Sequence, residues 1–574
     1  MPCIYKLTKG LKMASYHSSM KQLSVILVSI FLSIPVVFAQ NLSTQQLPKI
    51  LTSDTHYLPD FSYAGYKFGM EPIPNTVGTI INVTDYGAIA NDGVDDTKAI
   101  QSAIAAANNV KGAVNVRFPQ GRFIISDIIE IIRDDFVLQG AGQGKLGTTL
   151  FFPRPLNMVD DKGKLSEIRK YLTKYNKRHK SKKDNIDVIF SEYSWTAGFI
   201  WVGEKDKRGF AYLDEYDTQP LPSLGQGIRG KQGTQKIEVT DPSVFSKGQR
   251  IQVLWYNKQG EEGALIKSLY NDAPVKIGSR HWTTPNKPLV TQYTLVTKID
   301  GNTLTIADTL LHDINEQLPT EIQPWHPLEH IGIQDFSFEF PDSPYFGHHV
   351  EMGYNGIYLN GLADSWILNL SFTNAESAIL TYNSANVTIS DIQTHGEKSA
   401  HYAVHMGNVH NFLAQRIQIF NPVIHSLTFN TQSTRSVYKD SEVFSKPTLD
   451  QHAGANHQNL YDNIVVHVDA VPSADKASYE VYWGSGAGYW QPGHGRFSTT
   501  WNLTVMAQSG VPADQTLLVQ GVAEGPDARI IGLSGNRNLE LEYYPQPYVE
   551  SLNKRIKTIP SLYDYQLNQR MNAK

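Results

Sequence analysis

The sequence predicts an all-β parallel solenoid, and three observations carry that expectation. Short apolar segments recur at twenty-odd-residue intervals through the second half of the chain, the signal of a coil stacking on copies of itself. The composition, 41% hydrophobic and 18% charged over 574 residues, excludes a disordered chain and a membrane protein of many spans. The single cysteine, Cys3, rules out an intramolecular disulfide and a thiolate zinc site, so stability has to come from one long continuous core.

Taken in order, the chain opens on a targeting signal. After Met20 and Lys21 an apolar run from Leu23 to Ala39 ends in Val37-Phe38-Ala39 before Gln40, the pattern of a secretory signal peptide. Residues 1–39 are therefore assigned to the signal, with 1–19 an upstream extension if Met20 is the start. Read instead as a membrane anchor, the run is barely long enough and contains Pro35. The expected location is secreted or periplasmic, with no membrane partner. Removing residues 1–39 leaves 47 basic against 55 acidic side chains, a net charge of −8. That charge argues against nucleic acid as a partner and leaves polyanions only where basic residues cluster locally.

Residues 40–79 read as an irregular N-terminal segment and 80–155 as the first coils. Asp95-Asp96 supplies an N-cap signal before an amphipathic helix over Thr97–Ala107. Val114 to Phe118 alternates like a strand, and strands follow at Phe123–Ile125 and Phe136–Leu138. Together, Asp85-Tyr86-Gly87-Ala88, Asp92-Gly93, Asp95-Asp96-Thr97, Ala99-Ile100, Phe118-Pro119-x-Gly121 and Leu138-x-Gly140-x-Gly142 resemble the N-terminal signature of pectate-lyase-like proteins. The resemblance covers about 75 residues and implies a right-handed parallel β-helix with an N-terminal capping helix. It also implies turn and cap roles for Asp85, Asp92, Asp95 and Asp96. It does not fix a reaction, because lyases, hydrolases, epimerases and phage tailspikes share the fold.

Residues 156–330 interrupt the pattern with a basic, helical excursion at Lys162–Lys183 and a small β insertion over Lys236–Leu311. Asp300-Gly301-Asn302 is a hairpin turn, and the loop Tyr256–Lys287 is placed to wall a cleft. The main β-helix is expected over 331–545, with 546–574 a tail or cap.

One segment per coil can be stacked: Ile357–Asn360, Ala378–Thr381, Val404–Gly407, Leu427–Asn430, Leu449–His452, Glu480–Trp483 and Leu517–Gln520. Side chains two apart share a strand face, so one column reads Tyr358, Ile379, His405, Thr428, Asp450. The next reads Asn360, Thr381, Gly407, Asn430, His452, Trp483, Gln520. Eleven of the 18 histidines fall between Gly347 and Arg496, on the same half. His405, Thr428, Asn430, Asp450 and His452 should form one polar patch.

With the polysaccharide substrate class that the resemblance implies, these residues point to a lyase cleaving an acidic, uronate-containing polymer by β-elimination, a reaction that needs carboxylate neutralisation, a base and an acid. Asn430 and Arg435 are assigned to the carboxylate, and His405 or His452 to the base. Asp450 orients an imidazole, and Tyr438 or Lys439 is the acid. Trp483 and Tyr358 stack on sugars, while Asn360, Lys398, His401, His425, Thr428, His457 and Arg496 are further substrate contacts. A hydrolase would need a carboxyl pair, for which Asp450 and Glu397 are the candidates. A non-catalytic glycan-binding module is the third reading. His401 and His405 would stand about 13 Å apart on a strand, too far to share an ion, and calcium would need clustered carboxylates where the ladder offers only Asp450. No metal or cofactor is expected, and the expected state is a monomer.

Overall fold

Two parallel sheets span Thr79 to Glu550, ten strands in one and nineteen in the other among the described residues. The structure is a computed structural model describing residues 47–573 except 54–55, 76–77, 160–190, 204–220, 259, 261–262, 274–287, 453, 474, 485–491, 509 and 523–524. The expected signal segment, the basic excursion Lys162–Lys183 and much of the Tyr256–Lys287 loop lie outside the described residues.

The ten-stranded sheet contains the strands Ile129–Ile131, Ile200–Gly203, Asn355–Asn360, Ser377–Tyr382, Ala400–Gly407, Val423–Phe429, Leu449–Gln451, Ala477–Trp483, Leu517–Val522 and Leu539–Glu542. They lie in strict chain order and every neighbouring pair is parallel, so each coil contributes one strand. The molecule is a parallel β-helix. Register explains why this sequence stacks: Ile357, Ile379, Val404, Leu427, Leu449 and Tyr482 are successive partners, all at most 2% exposed. Each large apolar side chain buried in such a column contributes roughly 1.5–3 kcal/mol. At the end of these strands Asn408 donates to Asn383 at 2.6 Å and Asn383 to Asn360 at 2.9 Å, a polar ladder along the turns.

The helix Thr97–Ala107 buries Ile100, Ala103, Ile104 and Ala107 in the same core as Ile81, Val114 and Phe123. Its preceding aspartates serve the backbone: Asp96 accepts from the N–H groups of Ile89 and Ile124, and Asp95 from Thr97.

The insertion is a closed antiparallel barrel of six strands: Gly225–Gly230, Lys236–Val239, Arg250–Tyr256, Pro288–Asp300, Thr303–Ile306 and Thr320–Pro324. Four of these lie within the expected insertion Lys236–Leu311, and Gly225–Gly230 and Thr320–Pro324 lie outside it. Gly225–Gly230 carries no sequence signal, because it lacks alternating apolar residues. Closure needs its glycines: a Cβ on Gly227 would sit 2.5 Å from Thr320 Oγ1, and one on Gly230 2.6 Å from Leu310 Cδ1.

Three boundaries differ from expectation. Ile200–Gly203, inside the expected excursion, pairs with Asn355–Asn360 and belongs to the β-helix. The nineteen-stranded sheet continues past 545, since Tyr548–Glu550 pairs with Arg529–Ile531. Much of the irregular N-terminal segment is packed: Ile50, Phe61 and Ala64 share a core with Leu413, Val437 and Trp501 and with Leu562 and Tyr563 of the final helix Leu562–Asn572. Among the described residues no helix is long and apolar enough to cross a membrane.

Candidate active site

Register defines the outward column of the ten-stranded sheet as Trp201, Tyr358, Leu380, His405, Thr428, Asp450 and Trp483. Four assignments shift. Leu380, rather than Ile379, neighbours Tyr358 and His405, so Ile379 and Thr381 stand in inward columns. Trp483 pairs with Asp450 rather than continuing from His452, and Gln520 pairs with Glu480.

Asp450 is the centre of the patch. Its Oδ2 accepts from Thr428 Oγ1 at 2.5 Å and lies 3.0 Å from both His425 Nδ1 and His452 Nδ1. Full burial alone would raise this carboxyl, but the two imidazoles and their hydrogen bonds hold it far below the usual carboxylate range. Two ring nitrogens facing an ionised carboxylate each carry a proton there, which turns the Nε2 atoms of His425 and His452 away from Asp450. The Tyr402 ring lies against His425 at 5.0 Å and His401 at 4.1 Å, and Trp483, 37% exposed, stands 6.5 Å from His425.

Beside this hub lies a second group that the sequence reading did not single out as a site. His348 Nε2 is 3.1 Å from His401 Nε2, and the His348 and His349 rings are 3.8 Å apart. Neighbouring residues in an extended strand point to opposite faces; here Gly347 and His349, at φ 140° and 74°, turn the backbone and bring both rings together. Glu351 anchors the group: its Oε1 is 3.1 Å from His401 Nδ1, accepts from Tyr345 at 2.9 Å and from the His349 N–H at 3.1 Å, and its Oε2 accepts from Ser194. The adjacent His348-His349 and the nearby Glu351 were the available sequence signal. They lie in a loop, however, and stacking strands does not place loops.

Burial and crowding keep three of these imidazoles neutral. His401 is held well below its ordinary value by burial and by His425 and His452, and His405 is pushed down to about 3 by burial and His452. His348 is likewise lowered, by desolvation and by facing His401 and His425. The site thus presents lone pairs, suited to accepting a proton or binding a cation. Three groups among the described residues have metal-ligand spacing: His348, His349 and His401; His425, Asp450 and His452; and Glu329, His330 and Asp364.

The structure brings His401, His405, His425, Thr428, Asp450 and His452 together, with Asn430 donating to the Tyr402 hydroxyl at 3.4 Å. Lys398 sits at the approach, donating to Ser343 at 2.8 Å above the Tyr354 ring. Other expected members lie elsewhere. Arg435 is fully buried and donates to the carbonyls of Thr309 and Leu310 at the barrel, so it cannot neutralise a substrate carboxylate. Tyr438 points into the solenoid and donates to the carbonyls of Val404 and Thr428, which excludes it as the acid. Lys439 pairs with Asp440 and with Asp564 of the final helix. His457 faces the barrel, 2.9 Å from His312, and Arg496 pairs with Asp527. Tyr358 is fully buried and Asn360 belongs to the asparagine ladder, so neither is open to a sugar. A separate groove of about 550 Å³, lined by Arg122, Lys145 and Asp342 on the other sheet, holds none of these residues.

Residues 80–176 match the family model described as rhamnogalacturonase A/epimerase, pectate lyase-like. That stretch is pectate-lyase-like. Among solved structures, the gp49 tailspike of Pseudomonas phage LKA1 is 11% identical, covering 82% of this chain and 80% of its own, with a TM-score of 0.44. An exopolygalacturonase of Thermotoga maritima is 9% identical over 86% of this chain and 95% of its own, with a TM-score of 0.32. The A-module of the Azotobacter vinelandii mannuronan C-5 epimerase AlgE6 is 11% identical over 82% and 98%, at 0.31. A 51-residue stretch is 43% identical to the plasmin and fibronectin-binding protein A of Streptococcus pneumoniae, spanning 9% of this chain and 7% of that protein. The pectate-lyase-like match ends at residue 176, before the first histidine of the site, His348. It therefore bears on the scaffold, and the reaction has to be argued from the histidine patch.

Proposed function

We propose that the protein is an exported polysaccharide lyase that cleaves an acidic, uronate-containing polymer by β-elimination at the histidine patch. One observation carries this reading: two imidazoles share one oxygen of a buried aspartate, below an exposed tryptophan suited to stacking on a sugar ring. Asp450 fixes the Nδ1–H tautomers of His425 and His452, and His452 Nε2 is the base. It takes the C5 proton of a uronate. The electron pair left behind forms the C4–C5 double bond, the C4–oxygen bond breaks, and the departing oxygen takes a proton from solvent water, while the proton on His452 returns to solvent.

Hydrolysis fits less well. An inverting or retaining glycosidase needs one carboxyl group protonated to serve as acid. Asp450 is held ionised with three donors on one oxygen, and Glu351 is occupied by Ser194, Tyr345 and the His349 N–H. Glu397, the other carboxyl of the hydrolase reading, is exposed in a loop. His452→Ala tests the assignment: turnover of acidic polysaccharide should be abolished while the circular dichroism spectrum is unchanged. Near-normal turnover would remove His452 from the mechanism.

A further inference from the structure

The three metal-capable groups differ in what already satisfies them. Glu329, His330 and Asp364 have a cation in place, because Arg250 reaches Glu329 Oε1 at 2.7 Å and Asp364 Oδ2 at 2.5 Å. In the second group His425 and His452 direct their Nδ1 protons at Asp450, so the nitrogens nearest the carboxylate are already occupied.

The third group is built differently. His401 Nδ1 lies 3.1 Å from the Glu351 carboxylate, which places the other ring nitrogen, Nε2, on the His348 side. His401 Nε2 and His348 Nε2 stand 3.1 Å apart. Two ligands of a tetrahedral zinc ion, each about 2.0–2.1 Å from the metal, stand about 3.3 Å apart, so this pair is already spaced as one edge of such a site. His349 completes the set, with all three ligand atoms within 4.8 Å of one another. Its left-handed backbone is the strained feature that puts two consecutive imidazoles on one side of the loop. Behind them Glu351 orients His401 as outer carboxylates orient metal-bound histidines. His348 is exposed while His401 is fully buried, so an ion held there would be anchored on its inner side and open toward solvent.

We propose that His348, His349 and His401 bind a divalent transition metal ion of the zinc type, leaving an open coordination position on the exposed, His348 side. Neutral imidazoles suit such ions, and three protein ligands with an open fourth position is the pattern of a reactive rather than a structural site. Binding stands on this geometry alone. Its role rests on the lyase reading: with Arg435 committed to the barrel, the ion supplies positive charge for the substrate carboxylate.

The test is titration of the chelator-stripped full protein with Co²⁺, followed by displacement with Zn²⁺. The expected result is one equivalent bound, with the intense visible absorption of four-coordinate cobalt. His348→Ala, a change at an exposed position, should weaken binding at least tenfold with the fold unchanged by circular dichroism. His349→Ala should act likewise, and His452→Ala should leave affinity within about threefold. Absence of stoichiometric binding, binding that survives His348→Ala and His349→Ala, or loss of binding in His452→Ala alone would each overturn the proposal. The elimination assay is scored separately. Stoichiometric metal without elimination sinks the lyase reading and keeps the metal site, whereas full elimination by protein shown to be metal-free keeps the lyase reading and removes the ion's role in it.

Discussion

Replacing Asp450 by asparagine probes the centre of the patch. The carboxylate receives Thr428 Oγ1 at 2.5 Å and faces His425 Nδ1 and His452 Nδ1 at 3.0 Å each, all on one oxygen. An amide oxygen in the same place still accepts hydrogen bonds, but each becomes a neutral one. Charge-assisted bonds are worth about 1.5–3 kcal/mol and neutral ones about 0.5–1.5, so three weakened bonds cost about 3 kcal/mol of folding stability. The effect on turnover is larger in kind. Without an anion at Nδ1, each ring is free to move its proton to Nε2, the atom that has to accept the substrate proton. Loss of a tautomer-fixing aspartate beside a catalytic histidine lowers kcat by roughly 10⁴-fold in the serine-protease triad, and a fall of about 10³–10⁴-fold is expected here. Urea unfolding and initial elimination rates on the same preparation measure both numbers. Asp450→Asn with wild-type stability and a rate within tenfold of wild type would refute the claim that this carboxylate orients the base.

Other parts of the structure make independent predictions. Burial holds His457 down to about 4, opposite the likewise lowered His312 at the barrel interface. The neutral ring is the folded form, so its contribution, about 3 kcal/mol by linkage, is complete above pH ~6.5 and lost as the pH falls through about 4; hydrogen exchange in the barrel strands should quicken over that window, and a flat profile would contradict it. Tyr438→Phe removes the hydroxyl shared by the carbonyls of Val404 and Thr428 and should cost about 1–2 kcal/mol in a denaturation curve with kcat within a few-fold, whereas a collapse of kcat would restore Tyr438 as the acid. Asp462 accepts from Ser561 Oγ and from the N–H groups of Leu562 and Tyr563, so Asp462→Ala should loosen the final helix by about 2–4 kcal/mol and expose it to protease without altering the sugar cleft. Trp483→Ala should raise KM several-fold while sparing kcat, because an exposed ring beside the hub binds substrate rather than reacting with it.

The fold was legible because a stacked coil repeats its own signal: Ile357, Val404, Leu427 and Leu449 recur at intervals set by one turn of the solenoid. The centre of the site was legible for the same reason, since His405, Thr428 and Asp450 are partners in adjacent strands. Register slipped by one residue at Leu380, where every residue from Ser377 to Tyr382 is buried and burial does not distinguish the two faces. Loops were the limit. Arg435 and His457 follow site strands in sequence but turn to the barrel, and nothing in their local sequence announces that partner. Conversely His348 and His349 come from a loop before the first strand of the patch, with Glu351 two residues on. The two barrel strands that were missed, Gly225–Gly230 and Thr320–Pro324, are defined by closure with distant partners rather than by their own pattern.

Ultraviolet absorbance of the purified protein incubated with a panel of acidic polysaccharides tests the central claim most directly. Elimination leaves a conjugated carbon–carbon double bond on each new non-reducing end, and hydrolysis does not. Absorbance should rise in step with new reducing ends on a uronate-containing polymer, with no rise for His452→Ala. New reducing ends without absorbance would contradict the claim and transfer the reaction to a carboxyl pair.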